Sequence, residues 1–389
     1  MRNARRIENL PPYLFAELDR KVSAAKARGV DIISFGVGDP DRPTPSHIVE
    51  AGSIALADPA NHRYPSYYGM PELRHAIASY YDRRFGVTLD PESQVLPLIG
   101  SKEGIAHVAT AFVDPGDRVL VPDPGYPVYQ TSAILAGGKA ISIPLTRQDD
   151  FLPQLDHIGT DDAAGSKILW MNLPGNPTAA VGDLDHFERF VGFCRKQDLL
   201  LAHDAAYVEL TYDGHVAPSV LQVAGALDVA IEFGSLSKTY NMTGWRVGWV
   251  VGAEQAIEAI GRVKTNIDSG IFNALQRAGI AALEGPQDCI DESIDVYTRR
   301  RNAVVEALNS CGWSLKPPLG SIYVWAPVPE GETSVGFCQF LLDEAGVVLA
   351  PGSGYGPGGE GYVRFSLTVP DDRLEEGLAR VAKAIGPRS

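Results

Sequence analysis

Short apolar runs recur along the middle of this chain, separated by stretches of helical periodicity. Runs at 118–122, 139–144, 167–172, 199–203, 229–233 and 247–251 are short and mostly apolar, so both faces of these strands are expected to be covered. Such runs alternating with helices predict a mainly parallel sheet with helices on both sides. Upstream, 16–28 reads as an amphipathic helix closed by Gly29 after a proline-rich start at 10–13. A short strand at 31–35 then leads into the turn Gly36-Val-Gly-Asp-Pro40. A helix is expected over 72–85, and another opens at Ile99-Gly-Ser-Lys-Glu-Gly104 and runs through Phe112. From about 285 a long charged helix is followed by shorter strands and helices. At 362–368 Val363, Phe365 and Leu367 face one side, and Tyr362, Arg364 and Ser366 the other. The pattern divides the chain into an N-terminal segment (1–45), a large α/β domain (46–284) and a smaller α+β domain (285–389), with the first and last packed together.

Composition narrows the function. The chain has 48 acidic and 34 basic residues, a formal net charge of −14, which argues against a general polyanion-binding surface. A local pocket for one small phosphate stays open. Cys194, Cys289, Cys311 and Cys338 form no C-x-x-C pair and read as reduced thiols. No apolar run approaches ~18 residues, and the basic N-terminus lacks the apolar stretch of a secretory signal. A soluble, cytoplasmic protein without metal is the expectation.

Candidate chemistry collects at the ends of the expected strands. Gly234-Ser-Leu-Ser-Lys-Thr-Tyr-Asn-Met-Thr-Gly-Trp-Arg-Val-Gly248 offers an amine on Lys238, hydroxyls on Ser235 and Ser237, and the guanidinium of Arg246. A lysine amine can hold an aldehyde as an imine, and hydroxyls with an arginine fork suit a phosphate; a solvated loop would look the same. Asp204 ends a strand facing the crevice where α/β sheets bind ligands, with Tyr207 three residues on; a helix N-cap is the alternative. Asn176, in Met171-Asn-Leu-Pro-Gly-Asn-Pro-Thr178, offers an amide and precedes a proline suited to a cis bond. The turn at Ser101 and Lys102 opens a helix whose free amides suit an anion. Tyr126 could lie against a planar ring, and Arg364 is either an exposed edge charge or a carboxylate clamp.

In this order and spacing the motifs resemble the fold-type I, class I/II aminotransferases that use pyridoxal 5′-phosphate (PLP). Asp204 follows Asn176 by 28 residues and Arg246 follows Lys238 by 8. The resemblance runs from the Gly36 turn through Tyr64-Pro-Ser-Tyr-Tyr-Gly-Met-Pro-Glu-Leu-Arg74 to Arg364. It implies that Lys238 binds the cofactor covalently, Asp204 pairs with its pyridine nitrogen, and Asn176 and Tyr207 bond its phenolic oxygen. Tyr126 would stack on the ring, while Ser101, Lys102, Ser235, Ser237 and Arg246 take the phosphate. Arg364, Asn176 and the Gly38 backbone would hold the substrate, and Tyr64 would reach the phosphate of the neighbouring subunit of a homodimer.

Within that family, Asn9-Leu-Pro-Pro-Tyr-Leu-Phe15, Asn61-His-Arg-Tyr-Pro-Ser-Tyr67, Leu98-Ile-Gly-Ser-Lys-Glu-Gly-Ile105 and Lys264-Thr-Asn-Ile-Asp-Ser-Gly270 are similar to the bacterial LL-diaminopimelate aminotransferases. This similarity implies exchange of an amino group between LL-diaminopimelate and glutamate/2-oxoglutarate, with Tyr67, Lys102 and Asn266 as polar groups for the far end of the substrate. Leu173, Ala179 and Tyr68 depart from the pattern, so a second PLP reaction (β/γ-elimination, replacement or carbon–carbon bond formation) is the alternative. A PLP-binding regulator would need an appended DNA-binding domain, for which the reading leaves no room.

Overall fold

The structure is a computed structural model that describes residues 2–11 and 14–386, with residues 14–19 as backbone only. Pro12 and Tyr13 of the expected proline-rich start lie outside the described residues. The first long helix spans Leu14–Ala27, ended by Gly29 at φ +81°.

Twelve strands are described: β1 (Ile33–Ser34), β2 (Val95–Leu98), β3 (Arg118–Asp123), β4 (Lys139–Pro144), β5 (Ser166–Asn172), β6 (Leu200–Asp204), β7 (Ala230–Ser235), β8 (Gly248–Gly252), β9 (Tyr323–Pro327), β10 (Val347–Val348), β11 (Ala350–Pro351) and β12 (Tyr362–Ser366). The large sheet has the order β2-β8-β7-β6-β5-β3-β4. Pairs among β3 to β7 are parallel, whereas β8 is antiparallel to both β7 and β2. β8 therefore starts at the edge where its neighbours finish.

Alternate side chains of the interior strands enter different cores, which is why their runs read as mostly apolar; β4, at the edge, is largely half-buried or exposed. Ile168, Trp170, Ala202 and Phe233 pack with Ile105, Val108, Ile257 and Ile260 of the helices Ser101–Phe112 and Glu254–Thr265. Leu169, Met171, Leu201 and Trp249 pack on the opposite face with Leu73, Ile77, Phe187, Phe190 and Ala278. A third core joins Val324, Val363, Phe365 and Leu367 to Val304, Leu341 and Leu378, and takes in Ile33 and Phe35 from the N-terminal part. Those two residues arrive there because β1 pairs in parallel with β10.

Two local expectations change. β2 is absent from the sequence reading because Pro97 interrupts Val-Leu-Pro-Leu; it is an edge strand, where a missing amide donor is tolerated. The strand expected at 31–35 contracts to two residues, since β10 offers only two partners. Ala179, one of the departures from the family pattern, has φ +58°, a left-handed conformation costing a non-glycine residue about 1 kcal/mol.

Arg300, on the long helix Asp288–Ser310, ties the 36–43 turn to the third core. It donates to both Asp41 oxygens (2.7 and 2.9 Å), to Asp371 (2.6 Å) and to the Leu367 carbonyl (3.0 Å). Its side chain is 6% exposed and that of Asp41 17%, so solvent does not replace the bonds to Asp41, whereas Asp371 is 57% exposed. Arg300→Met is expected to cost about 3 kcal/mol of stability, read as a shift in the denaturation midpoint. A shift within about 0.5 kcal/mol, the range of an ordinary surface change, would show that the turn is held by other contacts.

Candidate active site

The parallel strands end at one edge, and their following loops meet there. Asn172 of β5 is in register with Asp204 of β6, and Asp204 with Phe233 of β7. The loop after β5 carries Asn176, the turn after β6 carries Tyr207, and the turn after β7 carries Ser237 and Lys238. On the far side Ser235 faces Gly248 and Gly248 faces Leu98, which brings Arg246 beside the Gly100–Ser101 turn. They enclose a cavity of about 430 Å³, lined by Gly38, Ser101, Lys102, Tyr126, Asn176, Asp204, Tyr207, Ser235, Ser237, Lys238, Arg246 and Arg364.

Thus every residue expected from the motifs reaches this cavity except three. Tyr64 lies outside it, 85% exposed, beside His62 and Phe272. Tyr67 and Asn266 also lie on the surface. A larger cavity of about 530 Å³ shares Tyr126 but lacks the convergent lysine, arginines and Asp204.

Two glycines permit the close approach of the segments. Gly100 has φ +75°, and a Cβ there would overlap Arg246 Nη2. A Cβ at Gly248 would lie 2.8 Å from the Ser101 amide nitrogen. Ser235 Oγ accepts the Ser237 amide at 3.2 Å, fixing the turn in which both hydroxyls face the cavity.

Asp204 is buried and caps no helix. Tyr129 donates to its Oδ2 at 2.8 Å. Its Oδ1 is buried with no hydrogen-bond partner among the described residues. Burial pushes the carboxyl above its ordinary value, against the bond from Tyr129 and the nearby His203. Lys238 donates to the Gly38 carbonyl at 2.5 Å. Burial pushes its amine down, and Arg364 and Arg246 add to this against Tyr323 and Asp39, favouring the neutral nucleophile.

Arg364 is 1% exposed, which removes the exposed-edge reading. Its guanidinium lies 3.9 Å over the Tyr323 ring and 5.1 Å from that of Tyr355. It donates to Asn176 Oδ1 and the Gly36 carbonyl, both at 2.7 Å. The Asn176–Pro177 bond is cis.

Sequence reasoning missed Tyr323, Tyr129 and Asn172. Tyr323 lies 3.0 Å from the Tyr207 hydroxyl, 116 residues away in the chain. Asn172 donates to the Asp204 carbonyl at 2.7 Å and accepts the Asn176 amide at 2.7 Å. Only Asn172 had a local signal, since it stands inside the quoted Met171–Thr178 motif.

These groups fit PLP: the unsatisfied Asp204 oxygen suits a protonated ring nitrogen, and the helix N-terminus with Ser235, Ser237 and Arg246 suits a phosphate.

Comparison with known proteins agrees. The family described as aminotransferase class I and II matches residues 30–381. An LL-diaminopimelate aminotransferase of Moorella thermoacetica is 53% identical over 386 residues, 99% of each chain. That of Desulforudis audaxviator is 54% identical over 383 residues, 98% of each. Among solved structures, apo-BacF from Bacillus subtilis superposes with a TM-score of 0.96 at 34% identity, covering 100% of this chain and 99% of that one. A probable N-succinyldiaminopimelate aminotransferase from Thermus thermophilus gives 0.90 at 38% identity, covering 95% and 100%.

Gly100→Ala is expected to displace Arg246 and weaken PLP binding by about tenfold, since strain and clash together cost about 1–3 kcal/mol. Fluorescence titration of the apoprotein reads this, with circular dichroism as the check on folding. Unchanged affinity would move the phosphate away from this turn.

Proposed function

The chain belongs to the class I and II aminotransferases, and we propose that it exchanges the amino group of LL-diaminopimelate with 2-oxoglutarate. The observation that carries this reading is full-length identity above half to two bacterial LL-diaminopimelate aminotransferases. The convergence of Lys238, Asp204 and Arg364 on one cavity supports it.

Bound in the cavity, PLP supplies a ring that takes up the electrons left when a bond at the substrate Cα breaks. The protein's part divides among named groups. Lys238 Nζ would hold the cofactor covalently and, as the free amine, would carry the proton at Cα. Asp204 Oδ1 would accept from the ring nitrogen and keep its proton in place. Asn176 and Tyr207 would bond the phenolic oxygen, and Tyr126 would stack on the ring. Ser235, Ser237, Arg246 and the amides at Ser101 and Lys102 would hold the phosphate. Arg364, its plane fixed by Tyr323 and Tyr355, clamps the α-carboxylate together with the Gly38 backbone and Asn176. The Lys102 side chain lines the same cavity, where the remote end of a substrate with two amino-acid groups would meet it.

We also infer a homodimer. Tyr64, Tyr67, Tyr68 and Ile267 are 85%, 48%, 47% and 64% exposed, apolar surface of a kind that a partner covers. A second copy related by a two-fold axis would receive Tyr64 at its phosphate and Tyr67 and Asn266 near its substrate. No described helix is long and apolar enough to cross a membrane, and we place the enzyme in the cytoplasm, where its four free cysteines stay reduced.

Single amino acids mixed with the holoenzyme test the reaction. LL-diaminopimelate is expected to change the cofactor absorbance at least about 100-fold faster than other amino acids, a difference of about 2.7 kcal/mol, and 2-oxoglutarate is expected to reverse it. Release of ammonia without 2-oxoglutarate would favour elimination instead. Arg364→Lys is expected to weaken substrate binding by about 1.5–3 kcal/mol, with the cofactor spectrum unchanged. Mixing Lys238→Ala with Tyr64→Ala subunits should raise activity per intact Lys238 above that of the pure Tyr64→Ala protein. No gain after confirmed exchange would return Tyr64 to its own subunit.

A further inference from the structure

Beneath the phosphate cradle lies a charged cluster that touches neither cofactor nor substrate cavity. Lys264, 1% exposed, ends the helix Glu254–Thr265 and donates to Glu103 Oε1 at 3.0 Å and to both Asp268 oxygens at 2.8 Å. His107 Nε2 lies 2.9 Å from the same Glu103 oxygen and 3.9 Å from Asp268. Ligand atoms of Glu103, His107 and Asp268 lie within 4.8 Å of one another, a spacing suited to a metal ion. The Lys264 ammonium already takes the place of that cation, with three donors for three oxygens.

The remaining bonds of the two carboxylates lead in opposite directions. Glu103 Oε2 accepts the amide of Ile99 at 2.5 Å, immediately before the Gly100 turn that points the helix N-terminus into the cavity. Asp268 Oδ1 accepts the amide of Gly270 at 2.6 Å. A Cβ at Gly270 would lie 2.7 Å from the Ser66 carbonyl oxygen and 3.1 Å from Pro65, so the loop bears directly on the segment that follows Tyr64.

Burial opposes the Glu103 charge, yet the hydrogen bond with His107 and the charge and hydrogen bond of Lys264 hold the carboxyl well below its usual range. Without the ammonium, two close carboxylates would repel each other, and the strain would be relieved by uptake of a proton or by a carboxylate leaving its backbone amide.

We propose that Lys264 is a positioning residue for the cofactor phosphate, holding the Ile99–Ser101 turn of its own subunit and the Tyr64–Ser66 segment in the places where both meet phosphate. This rests on the reading of the Gly100 turn as the phosphate cradle and of Tyr64 as a contact to the partner subunit. One lysine then serves two active sites, its own through Glu103 and its partner's through Asp268.

The test compares apoprotein titrated with PLP and with pyridoxal, the same ring without phosphate. In Lys264→Met the preference for PLP over pyridoxal is expected to fall about tenfold, with pyridoxal affinity held within about twofold. General damage would weaken both ligands alike, and that outcome overturns the proposal, as does an undiminished preference in the folded variant. Glu103→Gln keeps an oxygen for the Ile99 amide but loses the charge; its expected fall of about threefold decides the matter if Lys264→Met does not fold. In a Tyr64→Phe background the Lys264→Met effect should shrink to about threefold or less, the non-additivity of two residues acting on one contact. Full additivity overturns the cross-subunit half. If Tyr64→Phe alone leaves the preference intact, the reading of Tyr64 fails and takes that half with it, while the result at the Gly100 turn stands separately.

Discussion

The direction of one strand sets the site. Parallel strands deliver their following loops to a single edge, which accounts for Asn176, Tyr207 and Lys238 meeting there after β5, β6 and β7. β8 runs the other way between β7 and β2, so what arrives at that edge is the segment before it. Arg246 comes from that segment, opposite the helix N-terminus at Ser101. A fully parallel sheet would place Arg246 at the far edge, and the Gly100–Ser101 turn would lose the guanidinium beside it.

The same edge concentrates buried charge, and each charge is handled differently. Asp204 has one oxygen satisfied by Tyr129 and one buried without a hydrogen-bond partner among the described residues, so its desolvation is only partly offset. Lys238 is pushed toward the neutral amine by burial and by two nearby guanidiniums. Arg364 keeps its charge between two aromatic faces and two oxygen acceptors. Lys264, one layer below, is matched by two carboxylates. The protein thus brings an amine pushed down, a carboxyl pushed up and a guanidinium that keeps its charge into one cavity.

The comparisons and the geometry bear on different parts of the function. Identity over the whole length ties the chain to enzymes named for LL-diaminopimelate, while the cavity accounts for the chemistry common to the class I and II family. The departures noted in the sequence fall outside the lining of this cavity. Leu173 is buried in the core under the loop after β5, Tyr68 packs near Gly261, and Ala179 carries a positive φ two residues beyond the cis proline.

By itself the sequence determined the strand set of the sheet interior, because runs apolar on both faces have no other stable placement. It also determined the chemical groups at the strand ends, because aspartate, lysine and arginine in that order and spacing (Asp204, Lys238, Arg246) carry a recognisable chemistry. Only the tertiary structure decided which distant residues support them. Tyr323 reaches Tyr207 across 116 positions, Tyr129 reaches Asp204 across 75, and Lys264 reaches Glu103 across 161. None of these pairs leaves a local signature, because a tyrosine on a helix or a lysine near a helix end is ordinary until folding sets a partner against it. The exposed-or-clamping ambiguity of Arg364 was of the same kind: alternation along β12 gave its side, and only the packing of Tyr323 and Tyr355 on that side showed that it was the inside.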